Sequence, residues 1–406
     1  MENPRVRWVE AIPVVQEGKE LIILRDTEGI TENALVVSKE IAFMISLMDG
    51  SRTARDIQVD FMRAAGELVY IEKIQELIDT MDSHLLLLNE NYKNHYTKLK
   101  EEYEKVPVRK AFLAGKSYSA NRMELLAFLD EVMKNETDGT IQGEITGVVA
   151  PHIDYPRGMG VYRKTYPHLK NCAKPLVVLF GTCHHPTEKI LSISLKDYET
   201  PLEIIPHAKG LDGLILDNKV LKNYVDEWPH RNEHSIELQL PLIQFMMQHD
   251  FEMLPVLTGS MHEYVDGARG INDGEIDEIV TNLREVLAVY GKPFIILSGA
   301  DLAHIGAQFG DSYALDMVTL ARSKARDETL LESVKKVDAE EFFEAIKEEK
   351  DARRICGLTP IFFQLKLLEG SRCDIVGYDQ WTDGKSSVSF AGGIFYQRDR
   401  RRGQQK

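Results

Sequence analysis

Cysteine is scarce in this chain: Cys172, Cys183, Cys356 and Cys373 are the four in 406 residues. Their spacing gives neither a C-x-x-C pair nor a disulfide framework. No apolar run approaches the roughly 20 residues that a membrane helix needs. Met1-Glu2-Asn3-Pro4-Arg5 carries no apolar signal core. Positive charge is also short, with 49 Lys and Arg against 64 Asp and Glu, a net charge of −15. That balance argues against a general nucleic-acid or anionic-membrane surface, although a local basic patch stays compatible with it. There is no G-x-G-x-x-G, P-loop, H-E-x-x-H or G-x-S-x-G, which removes the common nucleotide, zincin and hydrolase readings. No repeat of period 20 to 50 and no low-complexity tract is present. These absences predict a protein of a reducing, cytoplasmic setting, with no nucleic-acid and no membrane partner.

What is present changes character along the chain. Residues 1–90 read as a small helical domain with strand-like stretches at 20–25, 34–37 and 85–88. Ser38 is a plausible N-cap for a helix with Ile41, Met44, Ile45 and Met48 on one face, stopped by Gly50. A second helix runs from about Thr53 to Gly66, and a third carries Ile71, Ile74, Leu77, Ile78 and Met81. This order predicts a winged helix-turn-helix. Residues 91–107 are highly charged and read as a solvated helical linker. From 108 to 402, apolar strands alternate with amphipathic helices at 123–132, 232–247 (interrupted by Pro241), 276–289, 338–346 and 352–368. A closing strand falls near 387–395. Such alternation predicts an α/β sandwich with a mostly parallel central sheet.

Three short apolar runs in this second part end in polar, histidine-bearing segments. Residues 145–150 lead into Pro151-His152-Ile153-Asp154, 176–180 into Gly181-Thr182-Cys183-His184-His185, and 294–298 into Gly299-Ala300-Asp301-Leu302-Ala303-His304. Open α/β sheets bind ligands at the carboxyl ends of their strands, so these segments are expected to build one metal or acid–base site. Each also has a bland explanation. Asp154 is either a ligand or tautomer-fixing partner, or a turn residue before Pro156. Only one of His184 and His185 is expected to enter, because extended neighbours point opposite ways. Cys183 reads as an ordinary buried thiol. Asp301 and His304 share a face if a helix follows the strand; otherwise Asp301 is a cap. In Asn232-Glu233-His234-Ser235-Ile236-Glu237, acidic residues at a helix start explain Glu233 and Glu237, but His234 suits that position only when neutral. Cys356 is either a thiolate favoured by Arg353, Arg354 and a helix start, or a structural cysteine. His84, His95, His168, His207, His230, His249 and His262 read as partnerless surface or core residues.

Taken in order, these segments resemble the Memo family, also called AmmeMemoRadiSam system protein B. The likeness includes Ala114-Gly115-Lys116-Ser117-Tyr118, Ala150-Pro151-His152-Ile153-Asp154-Tyr155, 181–186, Glu233-His234-Ser235-Ile236-Glu237-Leu238-Gln239-Leu240-Pro241, Pro255-Val256-Leu257, 298–304 and Ile355-Cys356-Gly357. Memo proteins resemble class III extradiol dioxygenases, which hold a non-haem iron in an α/β fold. The resemblance implies His152, His184 and Cys356 as metal ligands, His304 as general base, and Asp301 and His234 in the same pocket. Ser117 replaces the family's aromatic residue, and Ile153-Asp154 its Ala-Gly. Residues 1–90 are similar to PqqD-like domains, which bind peptides. Glu72, Glu76 and Asp79 on the third helix disfavour DNA.

The expectation is thus a metal-binding protein, with Fe(II) preferred and Zn or Cu as alternatives. It acts as a dioxygenase-like redox enzyme on a small-molecule or peptide substrate. A one-metal hydrolase and a non-catalytic metal- or peptide-binding module are the competing readings.

Overall fold

The computed structural model describes residues 3–31, 34–134, 141, 143–185 and 187–397. The chain divides into two compact units, Met1–Val106 and Pro107–Lys406. The expected domain end at 402 and Pro186 lie outside the described residues.

In the first unit, β1 (Glu10–Gln16), β2 (Lys19–Arg25) and β3 (Leu35–Ser38) form an antiparallel sheet in that order. Helices α1 (Lys39–Ser46), α2 (Ala54–Ala65), α3 (Ile71–Ser83) and α4 (Glu90–Lys105) follow. The helix starts come from local chemistry. The Ser38 hydroxyl accepts from Ile41 N, and Thr53 and Asp56 cap α2 reciprocally. Gly66, at φ +69°, ends α2 in the left-handed region. Leu24, Val37, Ile57, Ile74 and Ile78 share the core. The strand expected at 85–88 is not formed. Leu85, at φ +57°, turns the chain after α3, and only an isolated bridge joins Val6 to Leu87. The charged segment forms α4 and belongs to this unit.

The second unit contains β4 (Val108–Arg109), β5 (Glu144–Ala150), β6 (Leu176–Thr182), β7 (Leu191–Ile193), β8 (Asp197–Glu199), β9 (Ile204–Ile205), β10 (Glu252–Thr258), β11 (Phe294–Gly299), β12 (His304–Gly306), β13 (Arg372–Thr382) and β14 (Ser386–Gln397). Its helices are α5 (Arg122–Val132), α6 (Tyr155–Thr165), α7 (Lys209–Asp217), α8 (His234–Glu237), α9 (Leu240–Met247), α10 (His262–Val265), α11 (Glu275–Tyr290), α12 (Met317–Lys336), α13 (Ala339–Glu348) and α14 (Leu358–Leu367). The large sheet runs β12-β14-β5-β11-β6-β10-β7, with β13 on β14. Its centre, β5, β11, β6 and β10, is parallel. The flanks are antiparallel, so the sheet is mixed.

Strand periodicity sends alternate side chains to opposite faces. Leu176, Val178 and Phe180 pack with residues of α7, α11, α13 and α14, and Val177 and Leu179 with residues of α5, α6 and α9. Each fully buried aliphatic or Phe side chain contributes about 1.5–3 kcal/mol. Two glycines admit α8 against the strand ends. A Cβ on Gly299 would lie 2.4 Å from the Ser235 carbonyl oxygen, and one on Gly181 2.5 Å from the Ser235 hydroxyl. Among the described residues no helix is long and apolar enough to cross a membrane.

Several expected elements change. The helix at 232–247 is two, α8 and α9, as Pro241 foreshadows. The helix at 352–368 begins only at Leu358, because Asp351 and Arg354 take left-handed φ values of +47° and +52°. No helix follows β11; the chain runs on to β12, so Asp301 and His304 share no helical face. The sequence reading omits α12, whose inner face buries Ser323, Asp327 and Ser333 beside its leucines, and the partly exposed β13.

Candidate metal centre

The strand ends deliver the expected side chains to one place. His152 follows β5, His184 follows β6, and His234 opens α8 beside them. A ring nitrogen from each lies within 4.8 Å of the others, so the three form a group able to hold a metal ion. The rings of His184 and His234 stack at 4.5 Å between centroids, and His152 stands edge-on to both at 5.0 and 5.1 Å. Cys356 approaches from the loop before α14, its Sγ 3.1 Å from His152 Nε2.

Glu233 organises this group. One carboxylate oxygen, Oε1, lies 3.0 Å from Nδ1 of both His184 and His234. It also accepts from the backbone N–H of His234 and Ser235, while Oε2 accepts from His184 N at 2.8 Å. A carboxylate at Nδ1 fixes the tautomer and frees Nε2 as a donor. The same residue is therefore helix cap and imidazole clamp. Burial would raise the Glu233 carboxyl, but His184 and His234 hold it well below its ordinary range. Burial works against charge on His234, yet Glu233 outweighs it and raises that imidazole.

His152 is buried, and its Nδ1 lies 3.5 Å from Asp301 Oδ2, while Asp301 Oδ1 accepts from His152 N at 2.9 Å. Burial, then the neighbouring imidazoles, push His152 well below its ordinary pKa. Burial lifts the Asp301 carboxyl to about 7. Burial also lifts the Cys356 thiol well above its usual value, which opposes the thiolate alternative. The flanking arginines are committed elsewhere, Arg353 to Asp327 and Glu349, Arg354 to Asp311. His304 Nδ1 faces the carbonyl oxygens of Leu302 and Arg354 at 3.1 and 3.2 Å. Carbonyls only accept, so Nδ1 carries the proton and Nε2 the lone pair; burial pushes this imidazole down to about 4.

Access is one-sided. His184 and His234 side chains are 35 % and 36 % exposed, against 3 % for His152. A cavity of about 210 Å³ is lined by Cys356, Thr182, Cys183, Ser260, Arg354 and Thr359, among others. A larger one, about 680 Å³, is lined by Gln248, His249, Asp250 and Phe251 among others, and lies at the amino end of β10, the opposite sheet edge from the histidines.

Other expectations resolve individually. Asp154 takes its bland role: Oδ1 accepts from Arg157 N and caps α6, and Oδ2 pairs with Arg157. Cys183 Sγ donates to the His185 carbonyl at 3.4 Å. Glu237 is no solvated acid at a helix start. It is fully buried and paired with Arg109, and accepts from Phe112 N, Leu113 N and Tyr118 OH. His207 and His230 are not partnerless: His207 pairs with Asp197 and Asp212, and His230 lies 2.7 Å from Tyr198 OH and 2.8 Å from the Ser192 carbonyl.

The buried His230 carries a pH consequence. Nε2–H donates to Ser192 and Nδ1 accepts from Tyr198, an arrangement for the neutral ring only. Burial lowers its pKa to about 4, below the roughly 6.5 of an unfolded chain. The unfolded state thus binds the extra proton first as pH falls. Its contribution to stability is complete above pH 6.5 and is lost between there and about 4. Urea unfolding at pH 7 and pH 4.5 is expected to give the lower stability at 4.5, with a smaller drop in His230→Gln; an equal drop in both removes His230 as the cause.

Comparison with known proteins places these residues in context. The family model described as Memo-like protein matches residues 109–394. A "MEMO1 family protein" of Aquifex aeolicus is 28 % identical over 409 residues, covering 97 % of this chain and 100 % of its own. Relatives of the same description occur in Methanosarcina barkeri, 29 % identical over 58 % of this chain and 78 % of theirs, and Thermus thermophilus, 28 % over 70 % and 81 %. An uncharacterized Escherichia coli K12 protein of known crystal structure is matched over 62 % of this chain and 99 % of its own, at TM-score 0.35 and 12 % identity.

Proposed function

Because this chain belongs to the Memo-like family, we propose that its second unit is a one-metal enzyme of the non-haem redox type, with His152, His184 and Cys356 as ligands. His234 groups with His152 and His184, and Cys356 Sγ, 3.1 Å from His152 Nε2, would add sulfur to the set. The observation that carries this reading is the Glu233 clamp, which holds two imidazoles by Nδ1 where a ring nitrogen of each lies within 4.8 Å of one on His152. Such carboxylate–imidazole pairs are how metal-ligating histidines are oriented. The exposed flank of His184 and His234 leaves room for a co-ligand or substrate. Fe(II), when bound, would supply oxygen activation. His304 Nε2 takes the proton from the substrate, and burial keeps this ring neutral near pH 7. Four free cysteines suit a reducing, cytoplasmic setting. The first unit, with its sheet and four following helices, serves as a PqqD-like winged-helix module for a peptide or protein partner.

A specific observation favours a second reading. Three imidazoles in one group also suit zinc with an activated water, hence one-metal hydrolysis. Metal analysis of protein purified without oxygen decides between them. Stoichiometric iron with oxygen uptake supports the redox reading, and tightly held zinc without redox change supports the hydrolase. His152→Ala and Cys356→Ala are each expected to abolish metal retention. Stoichiometric metal in both variants would refute this ligand set.

A further inference from the structure

The loop carrying Cys356 is strained, although Asp351 Oδ1 accepts from Ile355 N at 2.7 Å within it. Lys350, Asp351 and Arg354 lie at φ +53°, +47° and +52°, a region that side chains other than glycine rarely occupy. Three such residues within five positions persist only where surroundings over-determine them. The loop also touches the centre at several points. Arg353 O accepts from His304 N at 2.7 Å, and Arg354 O faces His304 Nδ1 at 3.2 Å. Gly357 N donates to Asp301 O at 2.9 Å, and Cys356 Sγ lies 3.6 Å from the same oxygen.

Its anchor lies outside the site. The Arg353 side chain turns away from the centre and is buried against α12. Nη1 donates to Asp327 Oδ1 and to Ser323 O at 3.1 Å, and Nη2 donates to Glu349 Oε1 at 2.8 Å. Asp327 is buried, and its other oxygen accepts from Tyr378 OH at 2.9 Å on β13. The mechanism makes no use of this carboxylate.

We propose that Asp327 is a positioning residue of the centre: by gripping Arg353 it fixes the strained loop and so places the Cys356 sulfur and the His304 ring together. This rests on the ligand reading given under Proposed function. Arg353 contributes through its backbone as well as its guanidinium, so one bolted side chain sets two functional groups. A purely structural role for Asp327 would lower the melting temperature and leave the metal's sulfur contact intact.

Anaerobic titration of the full chain with Co(II) separates these cases, because a sulfur ligand gives a thiolate-to-Co(II) charge-transfer band. The wild type is expected to show the band. Asp327→Asn is expected to lose most of its intensity per bound Co(II), and to bind Co(II) about 10- to 100-fold more weakly. Tyr378→Phe, which removes a different partner of Asp327 and leaves its grip on Arg353, is expected to keep both. Arg353→Lys retains the charge pair but not the fork, and gives a folded variant with a weakened band should Asp327→Asn fail to fold. A wild-type band that persists unchanged in Asp327→Asn, or in Arg353→Lys where that is the folded variant, overturns the proposal and leaves the ligand reading standing. A wild type that binds Co(II) without the band overturns the ligand reading, and with it this proposal.

Discussion

Glu233→Gln is expected to weaken metal binding about 10- to 100-fold, with Glu233→Ala weaker still, in competition against a chromophoric chelator. The reason is the density of donors around one carboxylate. Its two oxygens take three backbone N–H groups and two imidazole Nδ1 atoms. An amide puts an NH₂ where one oxygen stood, facing His184 N at what was a 2.8 Å hydrogen bond. Oε1 stays an acceptor for both Nδ1–H groups and for the α8 cap, but as a neutral amide oxygen, so the charge-assisted bonds that orient the two rings are weakened. Glutamine at 233 with wild-type affinity would mean that the imidazoles are held by packing alone.

The second large effect concerns Arg109→Met, which is expected to cost about 3–5 kcal/mol, read as a shift in urea midpoint. Arg109 and Glu237 side chains are both 0 % exposed. Arg109 also donates to the carbonyls of His230 and Glu233 at 2.9 Å. Removing the guanidinium leaves a buried carboxylate without its counter-charge. Replacing both partners by apolar residues, as in Arg109→Met with Glu237→Leu, is expected to recover much of the loss, since neither charge then remains unpaired. A double variant no better than the single one would indicate that the hydrogen bonds to Phe112, Leu113 and Tyr118 outweigh the ion pair. Because Arg109 also holds the backbone of Glu233, the single variant should disturb the imidazole clamp.

The histidines were legible because strand ends announce themselves locally: an apolar run stops, and a polar, chemistry-bearing residue follows at the sheet edge. His152, His184 and Asp301 all carry that signature, and the structure brings them together. The position of Cys356 beside His152 had no local sign, since its loop has no periodicity and its placement depends on left-handed residues that no local pattern marks. Glu233 was hidden by a sufficient local explanation. An acid beside a helix start is expected there anyway, and its second role exists only after His184 arrives from 49 positions away. Arg109 gave no signal, because a single arginine in a two-residue strand looks like any surface charge. The α12 helix escaped because its buried face includes Ser323, Asp327 and Ser333, which blur the apolar stripe.

The uneven exposure of the three imidazoles sets an order of events for an arriving ion. His184 and His234 meet solvent, while His152 is buried. In the proposed site the exposed pair would meet an ion first and buried His152 last, so metal loading is expected to separate into a fast, concentration-dependent phase and a slower one that concentration does not change.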